Sequence, residues 1–275
     1  MAKQIHQLAF FIGSKPRIIG HRGAMGIAPE NTLPSFQRAF DDGAALIEID
    51  VRGTKDGHVV IIHDETLNRT TNGRGPVNQR TLNELKALDA GHWFTPDGGI
   101  SYPFRGKKIE IPTLEELFLA SPQARAIVEI KPGLPPITKK AVEILRRLGQ
   151  ENRVLLATED DQIMKDIRAE IGAAHLTVAT GFSYGEVAAF IQWAASGKRT
   201  DFTPQGQAMQ IPCEYRGTTL VSEATVSGAH QLEVEMFVWT VNDTDEMARL
   251  LTLGVDGIIT DYPARLRGLI QSDRP

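Results

Sequence analysis

Residues 46–51 read Leu46-Ile47-Glu48-Ile49-Asp50-Val51. Apolar residues alternate with two carboxylates, so Glu48 and Asp50 share one face of an extended strand and the isoleucines take the other. An antiparallel strand with one wet face would read the same way, so the neighbouring sequence has to decide. A second run, Ala126-Ile127-Val128-Glu129-Ile130-Lys131, repeats the pattern. It sits among further short apolar runs separated by helical stretches, the signature of repeated βα units and a parallel sheet.

Eight such strands can be counted: Arg17–Gly20, Leu46–Asp50, Ala126–Ile130, Arg153–Ala157, Leu176–Thr180, Ala208–Ile211, Glu235–Trp239 and Gly257–Thr260. Helical spacing of apolar residues fills Thr32–Phe40, Thr138–Leu148, Asp161–Ile171, Tyr184–Ala195 and Thr244–Leu253. Eight strand slots over roughly 250 residues are what a (β/α)8 TIM barrel requires. An open doubly wound sheet is the rival, but no Gly-x-Gly-x-x-Gly follows the first strand. The fold class expected is therefore α/β, one TIM-barrel domain over residues 1–275. Residues 64–112 interrupt the rhythm with a Gly/Asn-rich turn, a short helix near Leu82–Leu88 and a loop holding His92, Trp93 and Phe94. Loops of this length inside a compact domain are usually functional. We expect an insertion after the second strand that caps the C-terminal mouth.

Strands of a parallel barrel are buried on both faces, so carboxylates within them need an explanation. Grouping Glu48, Asp50 and Glu129 at strand C-termini, where barrel active sites lie, is costly unless a cation neutralises them. An all-oxygen donor set suits Mg²⁺, Ca²⁺ or Mn²⁺ better than zinc. Of the seven histidines, His21 closes the first strand and His63 closes the extended run Val59–Ile62, so both should reach the same mouth. Two such groups can act as an acid/base pair, one to take a proton and one to give it. Arg22 can clamp a phosphate oxygen and Lys131 can add a second positive charge, with ion pairing to a nearby carboxylate as the alternative for each. Trp239 can wall the pocket or pack in the core. His58 falls in a solvated turn, His92 is ambiguous, and His6, His175 and His230 are assigned to surface or core. Trp93, Phe94 and Phe104 form an apolar rim or pin the insertion.

With 41% hydrophobic and 23% charged residues, the chain has the composition of a soluble globular protein, and its net charge of −4 suggests neither nucleic acid nor an anionic membrane as a partner. The lone Cys213 excludes an internal disulfide and fits a reducing compartment. The apolar stretch Leu8–Gly13 is too short for a signal core or a membrane span. A cytoplasmic location is expected, or a periplasmic one if a signal has been removed.

The chain resembles the glycerophosphodiester phosphodiesterases of the bacterial type. The matching text is His21-Arg22-Gly23, Ala28 to Thr32, Glu48 to Val51, Thr54 to Gly57, Val60 to Asp64, Arg69 to Gly73, Val128 to Lys131, Trp239 to Asn242 and Gly254 to Asp261, in family order. The resemblance implies a TIM barrel with a small insertion after the second strand and one divalent cation, Mg²⁺ or Ca²⁺, on Glu48, Asp50 and Glu129. It also implies His21 and His63 as the acid/base pair, with Arg22 and Lys131 on the phosphate. The implied substrate is a small glycerophosphodiester, with lysophospholipids used by some relatives. Tyr215-Arg216-Gly217, Glu223-Ala224-Thr225 and Tyr262 depart from the common pattern, which leaves substrate preference open.

Overall fold

The computed structural model describes residues 7–197 and 201–272; His6 lies outside them. Eleven strands are described: β1 Arg17–His21, β2 Leu46–Gly53, β3 Val59–Ile61, β4 Ala126–Ile130, β5 Val154–Ala157, β6 Ala179–Thr180, β7 Ala208–Pro212, β8 Glu214–Tyr215, β9 Thr218–Thr219, β10 Glu235–Trp239 and β11 Gly257–Thr260. Eight of them, all parallel, run in the order β6-β5-β4-β2-β1-β11-β10-β7 and form a nearly closed barrel surrounded by helices. Gln207 spans the remaining seam: its N–H donates to the Thr180 carbonyl at 2.9 Å and its Oε1 accepts from Thr180 N–H at 2.9 Å. All eight strands read from the sequence are present. The fifth is shorter than expected, starting at Ala179 because the chain leaves the preceding helix through His175 at φ +54°.

Strand alternation separates two apolar layers. Ile47, Ile49 and Val51 of β2 point outward against Phe36, Leu117 and Leu145 of the helices, and Met236 and Val238 of β10 do the same against Val226 and Met247. Inward positions build the barrel's own core from Ile19, Leu46, Ile127, Leu155, Phe237 and Ile259. Phe10, fully buried in a short 3₁₀ turn, closes the N-terminal end of that core. The stretch Leu8–Gly13 is thus a plug, which explains its apolar character.

At the N-terminal end the charges are paired. Arg17 binds the Glu235 carboxylate and the Phe11 carbonyl, and Lys15 Nζ lies 2.6 Å from Asp256 and 3.0 Å from Glu235. Burial pushes the Glu235 carboxyl up, against the pull of Arg17 and Lys15.

β3 runs antiparallel to the end of β2, with Val51 opposite Ile61. From there residues 64–112 build a small apolar cluster of their own, Leu67, Val77, Leu85, Ala90, Ile109 and Ile111 packed on Val60 and Ile62. Its helix, Leu82–Lys86, is held by a capping box between Thr81 and Glu84.

Candidate active site

Register sets the geometry. His21 lies opposite Glu48 across β1 and β2, and Asp50 opposite Glu129 across β2 and β4, so all four reach the C-terminal end of the barrel at similar depth. One carboxylate oxygen from each of Glu48, Asp50 and Glu129 lies within 4.8 Å of the others. His21, Arg22, His63, Lys131 and Trp239 line the same pocket, with Gln210, Phe182, Thr158 and Glu159 on its remaining wall. Every site residue read from the sequence is therefore brought together. Trp239 resolves its two readings by doing both, since its ring rests on the inner core and also lines the pocket.

The two histidines are held alike. His21 Nδ1 is 2.7 Å from Asp261 Oδ1, and His63 Nδ1 is 2.8 Å from Asp64 Oδ1. An ionised carboxylate can only accept, so Nδ1 carries the hydrogen and Nε2 is left for the pocket. Behind them the supports differ. Asp261 accepts from Asn242 Nδ2 at 2.6 Å, whereas Asp64 is gripped by Arg69 at 2.8 and 2.9 Å, and Arg69 also reaches Glu30. For His21, burial opposes protonation but the Asp261 bond and the Glu48 charge raise its pKa; for His63, burial prevails and lowers it.

The carboxylates do not share one electrostatic state. Burial, reinforced by the Asp50 charge, pushes Glu48 up to about 8, and burial raises Glu129 as well. Asp50 is held below its ordinary value, because Lys131 and Arg22 outweigh its burial. Lys131 Nζ sits 3.0 Å from Asp50 and 2.7 Å from Glu129, so the ion pairing set against its phosphate role in the sequence reading is present as well. Asn31 Nδ2 donates to Asp50 at 2.9 Å and fixes that carboxylate. Three converging carboxylates without thiolate or imidazole, two of them pushed up by burial, fit a hard divalent cation.

Two of the six positive-φ non-glycine residues among those described support the site. Arg22 (φ +48°) and Asn31 (φ +57°) are non-glycine residues in the left-handed region, stabilised because the Arg22 carbonyl accepts from Asn31 N–H at 3.0 Å and from Ser35 Oγ at 2.9 Å. Gly23 (φ +87°) lets the chain turn back against Ser35, where a Cβ would collide. The turn aims Arg22 over the carboxylates: its Nη1 bonds Glu30 at 2.8 Å, while its Nε, 3.3 Å from Asp50, is a buried donor without hydrogen-bond geometry to any partner. Asn31, Asp64, Arg69, Asn242 and Asp261 were given no role in the sequence reading, although each falls inside a motif quoted there.

Comparison with known proteins adds an independent line. Residues 21–265 match the model of the glycerophosphoryl diester phosphodiesterase family. A glycerophosphodiester phosphodiesterase of Caldanaerobacter subterraneus is 35% identical over 262 residues, covering 94% of this chain and 98% of that protein. The glycerophosphoryl diester phosphodiesterase domain of a Mycobacterium tuberculosis protein superposes with a TM-score of 0.82 at 23% identity, covering 94% of this chain and 100% of that one. An Oleispira antarctica phosphodiesterase, solved in complex with the product sn-glycerol-3-phosphate, superposes with a TM-score of 0.72 at 25% identity, covering 93% and 97%.

Proposed function

The chain belongs to the glycerophosphoryl diester phosphodiesterase family, and from that premise we propose that it hydrolyses small glycerophosphodiesters to sn-glycerol 3-phosphate and an alcohol, using one divalent cation, Mg²⁺ or Ca²⁺. The observation that carries this reading is the convergence of Glu48, Asp50 and Glu129 within 4.8 Å in the pocket that His21 and His63 also line. The product-bound relative supports the choice of substrate class. Glu48, Asp50 and Glu129 are the residues that would hold the cation. When bound, it supplies positive charge to the phosphoryl oxygens as negative charge builds on them.

The chain's own residues do the rest. Arg22 and Lys131 orient the phosphate, both lining the pocket beside the three carboxylates. His21 and His63 serve as the acid/base pair: with Nδ1 tied to Asp261 and Asp64, each keeps Nε2 aimed at the reacting centre, one taking a proton from the attacking oxygen and one giving a proton to the departing alkoxide. Trp239 walls the pocket against the substrate's glycerol or headgroup. We assign residues 64–112 as an insertion of the single barrel domain, capping the mouth from the β2 side. Among the described residues no helix is long and apolar enough to cross a membrane. The lone Cys213, which fits a reducing compartment, is what favours a cytoplasmic enzyme.

The test is product release from glycerophosphocholine, glycerophosphoethanolamine and a lysophospholipid. Glycerol 3-phosphate from the first two is the expected result. Release of phosphocholine instead of glycerol 3-phosphate, or no product from folded protein, overturns the proposal.

A further inference from the structure

The aromatic residues of the insertion divide into two sets. Phe94 and Phe104 meet edge to face at 5.3 Å, and Phe104 packs on the insertion's apolar cluster, so this pair anchors the loop. Trp93 and Ile100 stay outside it, 44% and 87% exposed, and Leu119 (62%) and Leu33 (37%) are exposed as well. Leu33 and Leu119 line one surface depression together with Lys107 and Lys108, which joins the loop to the barrel's flank. Leu33 follows Thr32 and Asn31, the latter bonded to Asp50, so this face adjoins the pocket end of the barrel.

Cations stand among these apolar groups. The Arg105 guanidinium lies 3.7 Å from the Tyr102 ring centroid and 5.0 Å from that of Trp93, and Lys107 Nζ lies 5.3 Å from that of Phe104. Among the described residues Arg105, Lys107 and Lys108 have no carboxylate partner. The acids nearby are engaged elsewhere, Asp97 with Thr95 and Ser101, and Glu110 with Lys86. Residues 93–108 hold three cations and one acid, a net +2 in a chain whose net charge is −4.

We propose that this face, formed by Trp93, Ile100, Tyr102 and the cations Arg105, Lys107 and Lys108, docks the protein peripherally onto an anionic phospholipid surface. Aromatic residues settle at headgroup depth, an exposed aliphatic tip enters the acyl boundary, and unpaired basic groups meet the lipid phosphates. This charge complementarity favours a lipid surface. The docking does not depend on the reaction proposed above.

The experiment is co-sedimentation of the cation-loaded protein with vesicles of phosphatidylcholine alone and with vesicles partly replaced by phosphatidylglycerol. Expected is binding to the anionic vesicles alone, reversed by high salt, and weakened at least roughly tenfold by I100D and by the double variant K107E/K108E. Turnover of water-soluble glycerophosphocholine by these variants should be unchanged, which separates loss of docking from loss of folding. Absence of binding to anionic vesicles at low salt, or binding that survives both variants, overturns the proposal. So does a dimer in sedimentation velocity that I100D dissolves without any vesicle binding, which would make the face a contact between copies.

Discussion

Both ends of this barrel bury charge, and they do so in opposite ways. At the N-terminal end two cations, Lys15 and Arg17, meet two acids, Glu235 and Asp256, beneath the Phe10 plug. At the C-terminal end seven acids, Glu30, Glu48, Asp50, Asp64, Glu129, Glu159 and Asp261, face four permanent cations, Arg22, Arg52, Arg69 and Lys131. One strand joins the two, since Arg17 of the first network and His21, bonded to Asp261 of the second, are the two ends of β1. A self-neutralised network needs nothing from outside and serves the fold. A surplus of acid invites a cation, and its position between two carboxylate-oriented histidines makes it the place for chemistry.

His21→Ala and His63→Ala should each lower kcat for glycerophosphocholine by roughly 10²–10⁴, with thermal unfolding close to that of the parent protein. A variant that keeps most of its rate removes that histidine from the acid/base pair. Next, at the opposite end, Glu235→Gln leaves Arg17 buried against a neutral partner and should cost about 3–5 kcal/mol in urea unfolding while cation affinity is unchanged. Loss of cation affinity there would show that the two networks are coupled.

Smaller effects sharpen the contrast. Asn31→Ala frees the Asp50 carboxylate and should weaken cation binding by about 10–100-fold in calorimetry, with the fold intact. Stability should also depend on pH in a cation-dependent way. Glu48, with a folded pKa of about 8, is raised above its ordinary value, so its contribution to stability is present at acid pH and lost as pH rises through about 8. Glu129 shifts in the same direction. EDTA-treated protein should therefore lose stability between the ordinary carboxylate range and about pH 8, and the gain on adding Mg²⁺ or Ca²⁺ should grow across that window. A gain that shrinks with rising pH would mean the carboxylates are not the ligands.

The sequence made the working residues legible and hid their supports, for a physical reason. Glu48, Asp50 and Glu129 interrupt strands that should be apolar on both faces, so their polarity stands out against a strong expectation. Asp64, Arg69, Asn242 and Asp261 lie in loops, where polar residues are ordinary. Partners such as His21 and Asp261, or Lys15 and Asp256, are separated by 240 and 241 positions, a distance that only closure of the barrel removes. The apolar Leu8–Gly13 was legible as too short for a span but not as a plug, because its target is the inside of a barrel assembled from all eight strands. Trp93, Phe94 and Phe104 read alike as letters, and only packing assigned two of them inward and one outward.

The most direct test of the central claim, that the acid surplus at the C-terminal end is built for a cation, is release of glycerol 3-phosphate from glycerophosphocholine by protein stripped with EDTA and then given Mg²⁺ or Ca²⁺. The account predicts no release from the stripped protein, recovery on adding either or one of the cations, and no recovery in a Glu48→Gln variant. Undiminished release by fully stripped, folded protein would contradict it.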